Sequence, residues 1–159
     1  MRNHLLLAFA FGLSSSHSSA QVEEEKAVLA VIDRFFAAMT ARDTTDMSGT
    51  MIHSGSMHIA SLLGGEPVRT VPFQAYLTRL AQAKERFVER YWDAKVDLIG
   101  ASMANVVMPY DFHVDGKFSH CGGDVFMLVK GPDGWRIASV AFTQQTEGCS
   151  SSPLGPMRD

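Results

Sequence analysis

Apolar residues recur every three or four positions between Val22 and Asp43, where Val28, Val31, Ile32, Phe35, Phe36 and Met39 fall on one stripe. That spacing predicts an amphipathic helix lying on a sheet, with Glu23 to Glu25 in the first turn, where negative charge is favourable. A short second helix is predicted around Asp46 to Ile52, followed by strands at Ser56 to Leu62 and Val68 to Val71 about a Gly64-Gly65-Glu66-Pro67 turn. Pro72 then sits just inside the start of a third helix, whose stripe is Phe73, Tyr76, Leu77 and Leu80 and whose end falls near Glu85. From there the period is two: strands are expected at Phe87 to Ile99, Ala104 to Val114, Lys117 to Lys130 and Trp135 to Gln145. Asp115-Gly116 and Gly131-Pro132-Asp133-Gly134 supply the last two hairpin turns. Helices first and an antiparallel meander afterwards make the class α+β.

Strand alternation and the length of each turn fix which residues meet across the hairpins. With Asp115-Gly116 as a two-residue turn, Asp111 is expected opposite His120, His113 opposite Phe118, and Val107 opposite Asp124. A four-residue second turn sets Asp124 opposite Ala141 and Phe126 opposite Ser139, and an even turn near Gly100 to Met103 sets Trp92 opposite Asp111 and Arg90 opposite His113. One face then collects Arg90, Trp92, Asp111, His113, His120, Asp124, Phe126, Ser139 and Thr143 among Val96, Leu98, Val107, Leu128 and Ile137. The other carries Val106, Met108, Tyr110, Phe112, Val125, Met127, Val140 and Phe142. If the first face lines a cavity, the second is a large apolar surface that a second copy would cover, predicting a homodimer through the sheet. If instead the second face packs on the helices, the polar set lies in solvent. Trp92, Phe126, Leu128 and Ile137 accompany the polar residues and favour the cavity assignment.

The first twenty residues change the picture of where the chain works. Arg2, the apolar run Leu5 to Leu13 and Ser18-Ser19-Ala20 read as a secretory signal cut before Gln21, too short for a bilayer span of roughly 20 residues. A periplasmic or secreted location follows, with no membrane attachment after cleavage. Residues 21–149 are then one globular domain, and Ser150 to Asp159, rich in Ser, Pro and Gly, reads as a disordered tail. Removing Arg2 from 14 basic residues leaves 13 against 17 acidic, a formal charge of −4 with no basic face, which excludes nucleic acid as a partner. Cys121 and Cys149 allow a disulfide, but a continuing strand would hold them about 16 Å apart. A bond therefore needs the chain to fold back near Gly148, and otherwise two free buried thiols remain.

On the expected cavity wall, an Asp beside a His makes a general base near neutral pH, so Asp111, His120 and Asp124 are the catalytic candidates. Arg90, Trp92, His113, Phe126 and Ser139 are the ligand-binding candidates. A satisfied polar network without turnover uses the same residues. His53 and His58 flank the first strand, and no metal-site spacing or Gly-rich phosphate loop is present.

The run PYDFHVDGKFSHCGGDVFMLVKGPDGWRIAS, with the His53 region and the closing TEGC, resembles exported bacterial proteins of the nuclear transport factor 2-like superfamily, especially the putative lumazine-binding group. The resemblance covers roughly Glu23 to Cys149. It implies a cone-shaped α+β fold, with N-terminal helices on the concave face of a curved antiparallel sheet, a pocket between them, and commonly a dimer. Similar folds include isomerases, epoxide hydrolases, SnoaL-like cyclases, scytalone dehydratases and non-enzymatic binders, so the resemblance carries no catalytic set. The expected function is binding of a small, largely apolar or aromatic ligand. The alternatives are isomerase, cyclase or dehydratase chemistry without a cofactor through an Asp–His pair, or a protein-interaction module.

Overall fold

The structure is a computed structural model that describes residues 18–61 and 67–157. The expected secretory signal falls largely outside the described residues. Helix α1 (Ser19–Ala41) starts where the Ser18 hydroxyl accepts the Gln21 N–H, and stops where Arg42 turns left-handed at φ 57°. Asp43 caps α2 (Thr44–Gly49) through the Asp46 N–H. Strands β1 (Met51–Ser61) and β2 (Arg69–Pro72) precede α3 (Phe73–Gln82), and β3 (Phe87–Tyr91), β4 (Lys95–Ile99), β5 (Met103–Val114), β6 (Lys117–Gly131) and β7 (Gly134–Gln144) complete the chain. No helix among the described residues is long and apolar enough to cross a membrane.

The seven strands form one sheet in the order β2-β1-β7-β6-β5-β3, with β4 also on β5. All pairs are antiparallel except β1 with β7, so the sheet is mixed rather than purely antiparallel. It curves around α1, whose Val28, Ile32, Phe35, Phe36 and Met39 are buried as the 3.6-residue stripe requires. Phe126 of β6 anchors that contact, meeting the rings of Phe35 and Phe36 edge-on at 5.8 and 5.7 Å.

Three irregularities overturn the expected pairing. Val114 does face Lys117, and His113 faces Phe118, but Ser119 is an extra residue, so Phe112 rather than Asp111 lies opposite His120. Asp111 pairs with Cys121, and Met108 rather than Val107 with Asp124. A second bulge at Ala138 sets Asp124 opposite Phe142 and Phe126 opposite Val140, not Ala141 and Ser139. Third, the strand expected over Phe87 to Ile99 breaks at Trp92 to Ala94, where Asp93 is left-handed at φ 47°, and Arg90 comes opposite Asp111, not His113. Such bulges increase local twist, and a one-residue slip exchanges the faces of a strand. On β6 the expected face survives and points inward. On β3, β5 and the end of β7 the faces are reversed, so Glu89, Tyr110, Phe112, Val140 and Phe142 point inward instead of Arg90, Asp111, His113, Ser139 and Thr143.

Cys121 and Cys149 are bonded, with Cα atoms 6.0 Å apart. The chain meets the condition set by the spacing: β7 ends at Gln144, and Gly148 turns it back at φ 69°. Nearby, Gly122 is required by packing, because a Cβ there would stand 2.0 Å from the Thr143 carbonyl oxygen.

Gly122→Ala is expected to lower stability by about 3 kcal/mol, as overpacking against backbone does, while Gly131→Ala, with open space at its Cβ, leaves the urea midpoint unchanged. Cys149→Ser, which opens a link across 28 residues, is expected to cost roughly 3–4 kcal/mol on the loop-entropy argument. Equilibrium denaturation of the oxidised protein and each variant checks both, and a loss under about 1 kcal/mol for Cys149→Ser would contradict that argument.

Candidate functional site

The curl of the sheet and the stripe of α1 leave a cavity of about 220 Å³ inside the cone. Its wall is mostly apolar, from Phe35, Phe36 and Met39 of α1, Met57 and Ile59 of β1, and Phe112, Phe126, Val140 and Phe142 of the sheet. Seven polar side chains interrupt it: Arg69, Tyr76, Glu89, Tyr110, His120, Asp124 and Gln144.

Glu89 and Asp124 are the chemically unusual pair. Asp124 is 2% exposed, and its Oδ2 is buried with no N–H or hydroxyl donor. Glu89 is half-buried on the wall of the chamber. The two are hydrogen-bonded side chain to side chain. Ionised carboxylates only accept, so this bond requires a proton held between them. Burial pushes Glu89 well above the usual carboxylate range, and the neighbouring Asp124 charge and hydrogen bond push it further, so Glu89 is the protonated partner. Burial also raises Asp124, to about 7, against the opposing effect of the bond from Glu89.

Tyr76 of α3 faces the same chamber. Burial first, and the nearby Glu89 second, raise its phenol above the ordinary value, and no partner is present for its hydroxyl among the described residues. It is a neutral donor toward whatever occupies the cavity. The Tyr110 hydroxyl is committed, donating to the Thr143 carbonyl at 2.8 Å. His120 stacks on Phe112 with ring centroids 4.7 Å apart, its Nδ1 lies 3.0 Å from the Ser119 hydroxyl, and burial lowers its pKa to about 4. The imidazole is therefore neutral at neutral pH.

Of the sequence-predicted residues, His120, Asp124 and Phe126 reach the cavity. Asp111 does not meet His120. It lies on the opposite face, gripped by Arg90 through Nε at 2.8 Å and Nη2 at 2.6 Å, with His113 Nδ1 3.5 Å from its Oδ1. Burial, the leading cause, lowers the His113 pKa. Arg90 also donates to the Gly155 carbonyl, so this buried polar cluster lies under the C-terminal segment. Trp92 lines a small crevice beside Cys121, and Ser139 is likewise outside the cavity lining. His53 contacts Gln74, and His58 contacts Ser56 and Thr70, all away from the carboxyl pair. Glu89 is the residue that pairing arithmetic missed. Its signal was local: a carboxylate set between Phe87 and Tyr91 on one strand face.

No curated protein matches the chain. Among solved structures, a Mycobacterium tuberculosis protein of unknown function superposes with a TM-score of 0.68 at 16% identity, covering 81% of this chain and 76% of the other. A nuclear transport factor 2-like protein from Cytophaga hutchinsonii gives 0.65 at 11% identity, covering 76% and 98%. A putative scytalone dehydratase from Novosphingobium aromaticivorans gives 0.64 at 11% identity, covering 86% and 97%. These likenesses establish the fold. Residues 23–143, from the start of α1 almost to the end of β7, match the family described as putative lumazine-binding, and the chain belongs to that family.

Proposed function

We propose that this protein binds a small, largely apolar ligand inside the cone and transfers a proton on it through the Glu89–Asp124 pair. The observation that carries this reading is a pair of neighbouring carboxyl groups on the wall of an apolar chamber, both pushed above the usual carboxylate range by burial. A carboxylate with a pKa of about 7 is suited to take a proton near neutral pH, and a neutral carboxylic acid beside it can donate a hydrogen bond to an oxygen that gains charge. Tyr76 adds a second neutral donor. His120, uncharged, holds a ligand polar atom without competing for the proton. Among the similar structures, two are described as putative dehydratases, which is consistent with acid–base work in such a chamber. The Cys121–Cys149 bond supports an oxidising compartment, in keeping with export.

Proton abstraction can be read without knowing the product. In D₂O buffer at pH 7.5, 2-tetralone should exchange its carbon-bound protons faster with the protein than without it. Asp124→Asn should slow that by roughly 10²-fold or more, within the range for loss of a general base. Equal exchange by wild type and Asp124→Asn removes Asp124 from the reaction.

Stability should carry the same signature. Both carboxyls hold their protons to higher pH in the folded than in the unfolded chain, so their contribution is fully present below about pH 4 and declines as pH rises through 7. His120 acts with the opposite sign between about 6.5 and 4, its contribution lost on acidification. The difference between Glu89→Gln and wild type cancels the His120 effect. Glu89→Gln should gain more than about 1 kcal/mol relative to wild type between pH 5 and pH 8, because each tenfold difference in proton affinity between the folded and unfolded chain is worth about 1.4 kcal/mol. A flat difference in the denaturation midpoints would show that the pair does not share a raised proton.

A further inference from the structure

The lining of the cavity holds one guanidinium as well as the carboxyl pair. β2 and β3 are the two edges of the sheet path, five strand spacings apart, which in a flat sheet would be roughly 24 Å. Yet Arg69 on β2 and Glu89 on β3 line one chamber of about 220 Å³. The curl therefore brings a guanidinium to the rim of the space whose inner wall holds the carboxyl pair. Arg69 is placed by its strand: it lies opposite Ile59, another lining residue, and two positions before the buried Val71 on the same face.

Among the described arginines, Arg69, Arg79 and Arg86 have no side-chain partner, and of these three Arg69 is the one that lines this chamber. Arg34 is paired with Asp46, Arg90 with Asp111 and Arg136 with Asp133, while Arg42 donates to the carbonyls of Ala83 and Lys84. Among the described residues Arg69 has neither an ion pair nor a side-chain hydrogen bond. Glu89 and Asp124 bond to one another and leave it uncompensated. Gln144, also in the lining, presents an amide to the same chamber. Arg69 is exposed at the rim, and a guanidinium that borders an apolar chamber with no acid paired to it among the described residues favours a ligand that brings one.

Resting on the reading of the cavity above, we infer that the ligand is an organic carboxylate with an aromatic or alicyclic body. The carboxylate takes Arg69, with Gln144 as a second donor. The apolar body lies among Phe35, Phe36 and Phe126, and the atom that exchanges a proton lies at Glu89–Asp124. A phosphate ester fits less well, since one guanidinium and no Gly-rich loop face the chamber. An organic cation would meet Arg69 on entry.

The test compares 1-naphthylacetate with the isosteric neutral 1-naphthylacetamide, titrated by calorimetry into the full chain at low salt. The acid should bind at least ten-fold more tightly than the amide. Arg69→Gln should bring that ratio close to one while leaving the amide affinity within two-fold. Arg79→Gln, which alters an arginine of the adjacent groove but not of this chamber, should keep the ratio. 1-Naphthylacetate should also inhibit 2-tetralone exchange competitively. A ratio near one in the wild type, a ratio that survives Arg69→Gln, or one lost equally in Arg79→Gln would each overturn the assignment. If the amide binds and 2-tetralone exchanges but no preference for the acid exists, this inference alone fails. If neither naphthyl compound binds and no exchange occurs, the reading of the cavity fails with it.

Discussion

One unpaired residue, Ser119, decides what the cone contains. Because side chains alternate along a strand, a single extra residue in β6 brings even-numbered residues of β5 onto the same face as even-numbered residues of β6. His120, Asp124 and Phe126 thereby share the interior with Tyr110 and Phe112. Asp111 and His113 are turned out. The break at Trp92 to Ala94 carries the same consequence to β3, exchanging Arg90 for Glu89, and the Ala138 bulge carries it along β7. Without these slips Asp124 would share the cavity with Arg90, Asp111 and His113 in place of Glu89.

Energetically the two faces solve opposite problems. On the outer face, Arg90 compensates the buried Asp111 with two charge-assisted bonds. Inside, no cation pairs with Asp124 among the described residues, and burial pushes both carboxyl groups toward the protonated form instead. The same residue type thus meets an arginine on one side of the sheet and a second carboxyl group on the other. The Tyr110 hydroxyl donates to the Thr143 carbonyl, and Gly122 leaves room for that carbonyl to approach.

Much of the architecture was legible in the sequence. The stripe of α1, the proline before α3 and the Asp115-Gly116 turn each reflect local physics, and each element lies within a few residues of its expected place. The polar candidates were legible in part: His120, Asp124 and Phe126 were found because β6 keeps its expected face. Glu89 was not, since its face depends on a left-handed Asp93 and a three-residue turn at Gly100 to Ser102 that no periodicity reports. The disulfide was conditional in the sequence for a related reason. Two cysteines 28 residues apart bond only if the chain reverses after β7, which Gly148 permits but does not dictate.

By itself, then, the sequence determined the elements, their order, the α+β class and the family, because helix stripes, strand alternation and turn chemistry act over a few residues. The tertiary structure decided which residues meet. Register is set by bulges and by the curvature that closes a sheet around α1, and these are properties of the assembled strands. That is why Asp111 with His120 was the natural reading of the chain, and Glu89 with Asp124 is the pair that the fold makes.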